Sequence, residues 1–496
     1  MPIVARSGVK RFAQTTLWYT AVGLIGPLVA LGLTPLYTRA IGVAGYGTVD
    51  ILLSLWQGAY TVALWGIGTV LAGMYSATND ETQRRSIIVS ALIVVVSLGL
   101  VIGAGLLVCA PLIGQAIARP ETTEAMPYLV SALPFAVVYT LFLSIFKLRN
   151  DVRRVVWSMI GLVVITASTR IGLVVWWDGG VVGMVQAAAL TNMLMAMLTI
   201  GLGWSLVGQR VDVRVIKTVL RTGLPLLPVS LTSWVLLYAD RWLLAPQVDA
   251  LALGHYALAV LVASLLAFAI EPLKNAWQPI ALQPRYRNDD TFLALSYRVY
   301  MPVVLLFIGV LVLLAPTLLW VIGGAAALPA ATYVLALSSM PLFGGVQMLL
   351  GIRAVRDGRT AVFGWGSVVA AVVNLGVNIM FIPSYGVAAA AWGTALAAAA
   401  ATVVLGLRER DTARAMVPLH GAGTALLWLG LLWWWGVARP TWWVVLAVGA
   451  TALGLVWSAV RPLRELARRR KPELDDTGMP SEVMVQHDTA SREGSL

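Results

Sequence analysis

Charged residues are the scarcest class in this sequence. They make up 12% of its 496 residues, and hydrophobic residues make up 59%. A soluble protein is nearer a quarter charged, and the mean hydropathy here is +0.83. So little polar surface cannot cover a water-soluble particle of this length. The composition therefore predicts an all-α, polytopic membrane protein.

Residues that build disulfides, metal sites and active sites are also few. The single cysteine, Cys109, excludes an intramolecular disulfide, and three scattered histidines form no metal-binding pattern. We find no P-loop, metal cluster or nucleophile elbow. The sequence therefore predicts neither an enzyme nor a bound cofactor or metal.

Long apolar runs are what the sequence has in abundance. A helix needs about 20 mostly apolar residues to cross the hydrocarbon core, and fourteen such spans are predicted. They lie near 14–38, 48–72, 86–110, 127–146, 155–176, 181–204, 223–244, 251–272, 299–320, 330–350, 361–382, 386–407, 417–437 and 441–460.

The net charge of +12 would suggest nucleic acid in a soluble protein. Here most basic residues fall in every second connection between spans. Under the positive-inside rule this alternation predicts cytoplasmic N- and C-termini and no nucleic-acid partner.

The sequence contains an internal repeat that divides it into two similar halves. Leu36-Tyr37-Thr38-Arg39 matches the segment from Leu237 to Arg241, and later pairs repeat at offsets up to 206 residues. Six spans separate the copies, and because six is even, the two halves have the same orientation in the membrane. This arrangement predicts a central cavity between the halves and transport by alternating access. The predicted parts are two six-helix bundles, two further membrane helices, and a basic then disordered tail: 1–210, 211–410, 411–460 and 461–496.

Prolines mark the first helix of each half. Pro27 and Pro35 lie in the first span, and Pro225 and Pro228 lie in the seventh. Proline removes an intrahelical hydrogen bond and permits a kink. Two interpretations stay open: static kinks that aid packing, or hinges that open and close the cavity.

These features together resemble a known family. The proline-marked first helix, Leu36-Tyr37-Thr38-Arg39 and Gly45-Tyr46-Gly47 are similar to the polysaccharide transporters, the Wzx-like oligosaccharide-lipid flippases. So is the run from Leu224-Pro225 to Asp240-Arg241. These belong to the multidrug/oligosaccharidyl-lipid/polysaccharide exporter superfamily, and the likeness covers roughly residues 10–460. The alanine-rich twelfth span departs from the pattern, since it leaves few polar groups to read sugar.

The resemblance implies a function and a location. Such a flippase moves undecaprenyl-diphosphate-linked oligosaccharide from the cytoplasmic to the periplasmic leaflet of the bacterial inner membrane, for exopolysaccharide, O-antigen or capsule synthesis. Its partners would be the lipid-linked oligosaccharide, membrane lipids, and the glycan polymerase and chain-length machinery.

Five charged residues are candidates for the translocation path. An arginine inside an apolar span costs about 2.5–3.5 kcal/mol, so Arg170 should face protein or water. It either contacts the cargo, or snorkels or pairs locally. Arg39 and Arg241 lie at matching outer ends of the first and seventh spans, and either anchor the interface or serve as a periplasmic gate or head-group contact. Asp240 neighbours Arg241 in sequence, so we expect it to pair elsewhere, across the two halves. Lys274 either contacts the diphosphate at the cytoplasmic mouth or is there only because cytoplasmic loops are rich in lysine and arginine.

Two other classes stay open. A multidrug or cation antiporter of the same superfamily would need carboxylates inside its spans, which are almost absent here. A membrane glycan polymerase or ligase would need a sizeable outer loop, and every predicted outer loop is short.

Overall fold

A computed structural model describes residues 2–117, 119, 121–208, 210–281, 290–359 and 361–416, and residues 430, 432, 450–455, 460 and 462. Every regular element in these ranges is helical. The main helices are α1 Pro2–Leu64, α2 Ile67–Ser76, α3 Glu81–Ala116, α4 Glu121–Leu148, α5 Val152–Arg170, α6 Gly180–Gly203, α7 Val213–Gly223, α8 Leu227–Leu244, α9 Ala250–Ala281, α10 Asp290–Gly323, α11 Ala331–Arg356, α12 Ala361–Tyr385, α13 Val387–Arg408 and α14 Arg410–Met416.

The described residues contain nine helical stretches long and apolar enough to cross a membrane, or ten if one bent pair is counted as a span. This is a multi-pass membrane protein. Eleven of the first twelve predicted spans fall largely on these ten stretches. The first, near 14–38, lies within α1 but overlaps the stretch Leu31–Ser76 only from residue 31. The two spans predicted near 417–437 and 441–460 and the tail lie almost entirely outside the described residues, so the total of fourteen stays a prediction.

Two of the stretches are long enough for two predicted spans each. Leu31–Ser76 has 46 residues and Thr291–Val355 has 65. At 1.5 Å per residue these are about 70 Å and 98 Å of helix, against about 30 Å of hydrocarbon. Within α1 the backbone leaves helical geometry at Gly42, with φ 73° and ψ 167°. Glycine adopts this φ without a side-chain clash, so the first two predicted spans are separated there.

The prolines fall in two different settings. Pro27 and Pro35 lie within α1, which continues as helix to Gly42. Pro225 lies in a short 3₁₀ turn before α8, and Pro228 lies in the first turn of α8. The helical stretches on either side, Val213–Leu226 and Ser230–Leu244, meet at 52°. Proline is readily tolerated at a helix start, and a hinge role for any of the four stays a prediction.

The described helices divide into two compact units. The first comprises Met1–Pro272, Leu311–Pro341 and Phe363–Val404, and the second comprises Leu273–Val310, Leu342–Val362 and Leu405–Leu496. The core of the first unit includes a cluster around Phe142, Phe146, Ile88 and Leu71. In the second unit, Tyr300 donates a hydrogen bond to the Leu342 carbonyl. This division does not test the predicted two-bundle boundary near residue 210.

Candidate functional site

Arg170 lines a cavity inside the first unit. The cavity has a volume of about 200 Å³, and α1, α4, α5 and α6 form its walls. Arg170 ends α5, where the chain passes into a π-helical segment, Ile171–Trp176. Such wider turns occur often at functional sites. The lining is mostly apolar, with Arg170, Asn192 and two threonines as its polar members apart from an indole.

The Arg170 guanidinium is held by an aromatic hydroxyl. Nη1 donates a hydrogen bond to the Tyr37 hydroxyl at 3.2 Å, and the guanidinium lies 5.4 Å from the Tyr37 ring centroid. Tyr37 also shares a 2.9 Å hydrogen bond with the Thr34 hydroxyl. No Asp or Glu of the described ranges lies within salt-bridge distance of Arg170. Its positive charge is therefore oriented but not neutralised by a carboxylate.

An aromatic wall of the cavity carries a second polar group. Trp56 lines the cavity and stacks on Tyr60, with ring centroids 4.9 Å apart and planes 9° apart. The Tyr60 hydroxyl bonds to Thr140. The Trp56 Nε1–H is buried without a hydrogen-bond acceptor in the described structure. A buried donor without an acceptor is unfavourable unless a ligand or water meets it.

Arg241 forms the centre of a buried ionic cluster. Its Nε donates to Asp50 Oδ2 at 2.5 Å, and its Nη1 donates to Asp240 Oδ1 at 3.1 Å. The Tyr256 hydroxyl donates to the other oxygen of Asp240. Arg241 and Asp240 are each 3% exposed. Two carboxylates therefore meet one guanidinium inside the protein.

The expectation that Asp240 pairs away from Arg241 was wrong. Asp240 pairs with its sequence neighbour, Arg241, because the long arginine side chain folds back along its own helix to the Leu237 carbonyl, 2.6 Å away. It is Arg241 that crosses between the predicted halves, to Asp50. Sequence reasoning missed Asp50, although a carboxylate within an apolar span is itself a signal of function.

Buried polar groups continue from this cluster into α12 and α13. The Thr394 side chain lies beside the Tyr256 hydroxyl, and the Thr394 hydroxyl donates to the Ala390 carbonyl at 3.1 Å. Asn374 Nδ2 lies 3.4 Å from the Thr394 hydroxyl, and Asn378 Nδ2 donates to Asn374 Oδ1 at 3.1 Å. Networks of this kind are stable only when nearly every member is paired. These buried contacts extend from the Arg241 cluster to Asn378, whose Oδ1 has no hydrogen-bond partner among the described residues.

Tyr46 belongs to the Gly45-Tyr46-Gly47 motif of α1 and packs against the core cluster that contains Tyr37, the hydrogen-bond partner of Arg170. It also lies within electrostatic range of Asp50 and Arg241. The motif therefore neighbours both the Arg170 site and the Arg241 cluster.

Arg39 and Lys274 lie in other settings. Arg39 is exposed, and its guanidinium donates to the Val321 carbonyl at 3.1 Å. Among the described residues no carboxylate pairs with it, so the two motif arginines differ in environment. Lys274 is half-buried on α9, in the second unit. The roles suggested for both stay predictions.

Backbones of α1 and α9 meet close to the Arg39 motif. A Cβ on Gly47 would lie 2.5 Å from the Gly254 amide nitrogen, and one on Gly254 would overlap the Val43 carbonyl. Only glycine permits this approach of two helices. Nearby, the His255 ring bonds to the Ala326 carbonyl at 2.8 Å. These contacts join the two predicted halves at this end of the first unit.

The chain belongs to a family described as polysaccharide biosynthesis proteins, which matches residues 12–283. The suspected family relationship is thereby confirmed. No curated protein matches the chain.

Solved structures share the fold at low sequence identity. The chain is similar to a lipid II flippase, MurJ, in an inward closed conformation: TM-score 0.69, 13% identity, 91% of this chain and 100% of the other covered. For an inward-facing MATE-family multidrug transporter the TM-score is 0.58 and the sequence identity 15%, with 80% of this chain and 99% of the other covered. For the MATE multidrug transporter DinF-BH in complex with R6G the TM-score is 0.58 and the identity 18%, with 81% of this chain and 96% of the other covered. The fold is therefore that of flippases and MATE transporters.

Proposed function

We propose that this chain is a flippase in the bacterial inner membrane, with cytoplasmic termini. Its substrate is undecaprenyl-diphosphate-linked oligosaccharide, carried from the cytoplasmic to the periplasmic leaflet for exopolysaccharide, O-antigen or capsule synthesis. The glycan polymerase and chain-length machinery act on the delivered unit. The chain itself performs no covalent chemistry. Family membership and the flippase-like fold support the general class, and the site suggests the substrate.

The observation that carries this proposal is Arg170. Its charge lies in an apolar span without a carboxylate partner in the described structure, beside a cavity. An arginine at such a depth costs about 2.5–3.5 kcal/mol on insertion scales. An anionic ligand would offset that cost with charge-assisted hydrogen bonds, and a diphosphate supplies both the charge and the acceptors.

The same cavity contains groups suited to sugar. The Trp56 indole N–H has no acceptor in the described residues, and Asn192 and Thr166 add an amide and a hydroxyl. Binding sites for drug-sized ligands usually measure about 300–1,000 Å³. At about 200 Å³ the cavity holds one part of the polar head. Carrying the whole head therefore requires a second, more open conformation, as alternating access provides.

The contact of Gly47 with Gly254 supports that second requirement. The predicted halves meet there backbone to backbone, without bulky side chains between them. Such a contact closes this end of the cavity, and the two halves can move apart there as rigid parts. The lipid tail of the cargo stays in the membrane throughout. The hinge prolines are proposed to absorb the change.

A specific observation favours the antiporter as the second candidate. Asp50 and Asp240 share one arginine, so the cluster carries a net negative charge when both are ionised. Cation or proton binding there could drive the exchange of drugs, as readily as it could drive a flippase. Asp50 and Asp240 both lie within predicted spans, which is where an antiporter needs carboxylates.

The test uses purified protein in vesicles that contain fluorescent lipid-linked oligosaccharide in one leaflet. We expect Arg170→Gln to reduce its transfer at least tenfold and Arg170→Lys to retain part of it, since charge remains but the forked geometry is lost. Arg153→Gln, an exposed arginine on α5, is the matched control. Equal transfer by the Arg170→Gln and Arg153→Gln variants would remove Arg170 from the cargo path. Transfer of drug cations but not of the lipid would favour the antiporter.

A further inference from the structure

The short helix between the two predicted halves is strongly amphipathic. Helix α7, Val213–Gly223, follows the first six predicted spans and precedes the 52° bend into α8. It has 11 residues, too few to cross a bilayer. We propose that α7 lies in the membrane plane and binds the headgroups of anionic phospholipids.

Three strips run along α7 and divide its circumference. The first strip faces protein: Val215 and Val219 are buried in the core around Ile88 and Leu71. The second strip is apolar and exposed, and consists of Val213, Leu220 and Leu224 just beyond the helix end. The third strip is basic and exposed, and consists of Arg214, Lys217 and Arg221.

The order of these strips suits a membrane interface. At 100° per residue, the exposed apolar strip lies between the buried strip and the basic strip. A helix lying in the interface inserts its apolar face about 5–10 Å and keeps its basic face at headgroup level. In water alone, three exposed aliphatic side chains beside a basic strip would have no such explanation.

The basic strip fits a lipid surface better than a single phosphate group. Arg214 and Arg221 are seven residues apart, so the strip extends about 10 Å along the axis. The three cations therefore do not converge on one point, as a diphosphate site would require. No acidic residue occurs within α7. Asp212 caps its start, with its carboxylate accepting from the Arg214 amide.

α7 is fixed to the rest of the first unit at both ends. The Asp212 amide donates to the Ser90 hydroxyl at 2.9 Å, and the Trp65 indole donates to the Leu220 carbonyl at 3.0 Å. Trp65 and Gly66 form the positive-φ break between α1 and α2. Lipid bound along α7 would therefore anchor the helix that leads from one predicted half to the other, next to that break.

The first test measures depth. A single cysteine replaces Leu220 or Thr218 in a Cys109→Ala background, carries an environment-sensitive dye, and is reconstituted in phosphatidylcholine vesicles containing phosphatidylglycerol. We expect a blue-shifted emission from residue 220 and a water-like emission from residue 218, which is exposed on the basic side of the helix. Water-like emission from both would overturn the in-plane placement.

The second test measures the headgroup. We expect the combined variant Arg214→Gln, Lys217→Gln and Arg221→Gln to retain less phosphatidylglycerol on purification, by about fivefold per charge removed, the equivalent of about 1 kcal/mol. The control removes three exposed basic residues elsewhere: Arg85→Gln, Arg153→Gln and Arg408→Gln. Equal retention by both variants would overturn the proposal. So would displacement of the lipid by micromolar pyrophosphate, which would indicate a site for the cargo head instead.

Discussion

Removal of the Arg241 guanidinium should be the most damaging single change in the ionic cluster. The Arg241→Gln variant leaves the carboxylates of Asp50 and Asp240 close together without a cation. Both Arg241 and Asp240 are almost fully buried, so water cannot replace the lost charge. Breaking a buried pair by removing one partner costs about 3–5 kcal/mol.

Removal of the Asp50 carboxylate should cost less. The Asp50→Asn variant leaves Arg241 paired with Asp240, one charge against one, and the amide oxygen of the substituted side chain can still accept from Nε. Asp50 is also 24% exposed, so water screens it in part. We expect about 1–2 kcal/mol for this variant. The double variant should cost less than the sum of the two single variants, because it leaves one carboxylate, that of Asp240, without the arginine, whereas Arg241→Gln alone leaves two.

The assay is thermal unfolding of the purified variants in one detergent, with a double-mutant cycle over residues 50 and 241. Arg39→Gln is the matched control. This arginine occupies the equivalent motif position but is exposed, and among the described residues its guanidinium hydrogen-bonds to a backbone carbonyl, so about 0.5–1.5 kcal/mol is expected. An Asp50→Asn variant less stable than Arg241→Gln would refute the charge argument. Equal effects of Arg241→Gln and Arg39→Gln would refute the importance of burial.

Two further predictions concern particular contacts. Gly254→Leu should push α1 away from α9, because a side chain on Gly254 would overlap Val43. In a background without the native cysteine, a cysteine placed at position 43 should then react faster with thiol reagents. The control Gly105→Leu, at a glycine with open space around it, should leave that labelling unchanged. Equal labelling in the two variants would contradict the close approach. In the second unit, Arg359→Gln should lower the melting temperature more than Glu409→Gln. Hydrogen bonds to Asp357 and Glu409 raise the pKa of Arg359. Loss of Arg359 leaves the buried Glu409 carboxylate without an ion-pair partner among the described residues. The reverse order of melting temperatures would contradict this.

The fold could be predicted largely from hydropathy. Scarce charge and long apolar runs gave helices near the first twelve predicted spans, because backbone groups in hydrocarbon must be paired within a helix. The break at Gly42 was harder to predict. The prolines marked the first span, yet the chain stays helical past Pro35 and leaves helical geometry at a glycine. Where helices break depends on neighbouring helices as well as on local sequence.

The candidate site could be predicted only in part. Arg170 and Arg241 stood out because an arginine in an apolar span needs a special environment. Their partners are tertiary: Asp50 is 191 residues from Arg241, and Tyr37 is 133 residues from Arg170. Without a fold, no spacing rule connects such positions. Neighbouring residues on a helix point in different directions, so Asp240 and Arg241 were not expected to pair. The arginine side chain is long enough to fold back along its helix and reach Asp240 all the same.

The most direct measurement of the central claim is the fate of lipid-linked oligosaccharide in cells depleted of this protein. We expect single repeat units on undecaprenyl diphosphate to accumulate on the cytoplasmic face while surface glycan is lost. Re-expression of the intact chain should reverse both changes, and the Arg170→Gln variant should not. Units that reach the periplasmic face unpolymerised, or normal glycan in drug-sensitive cells, would contradict the flippase function.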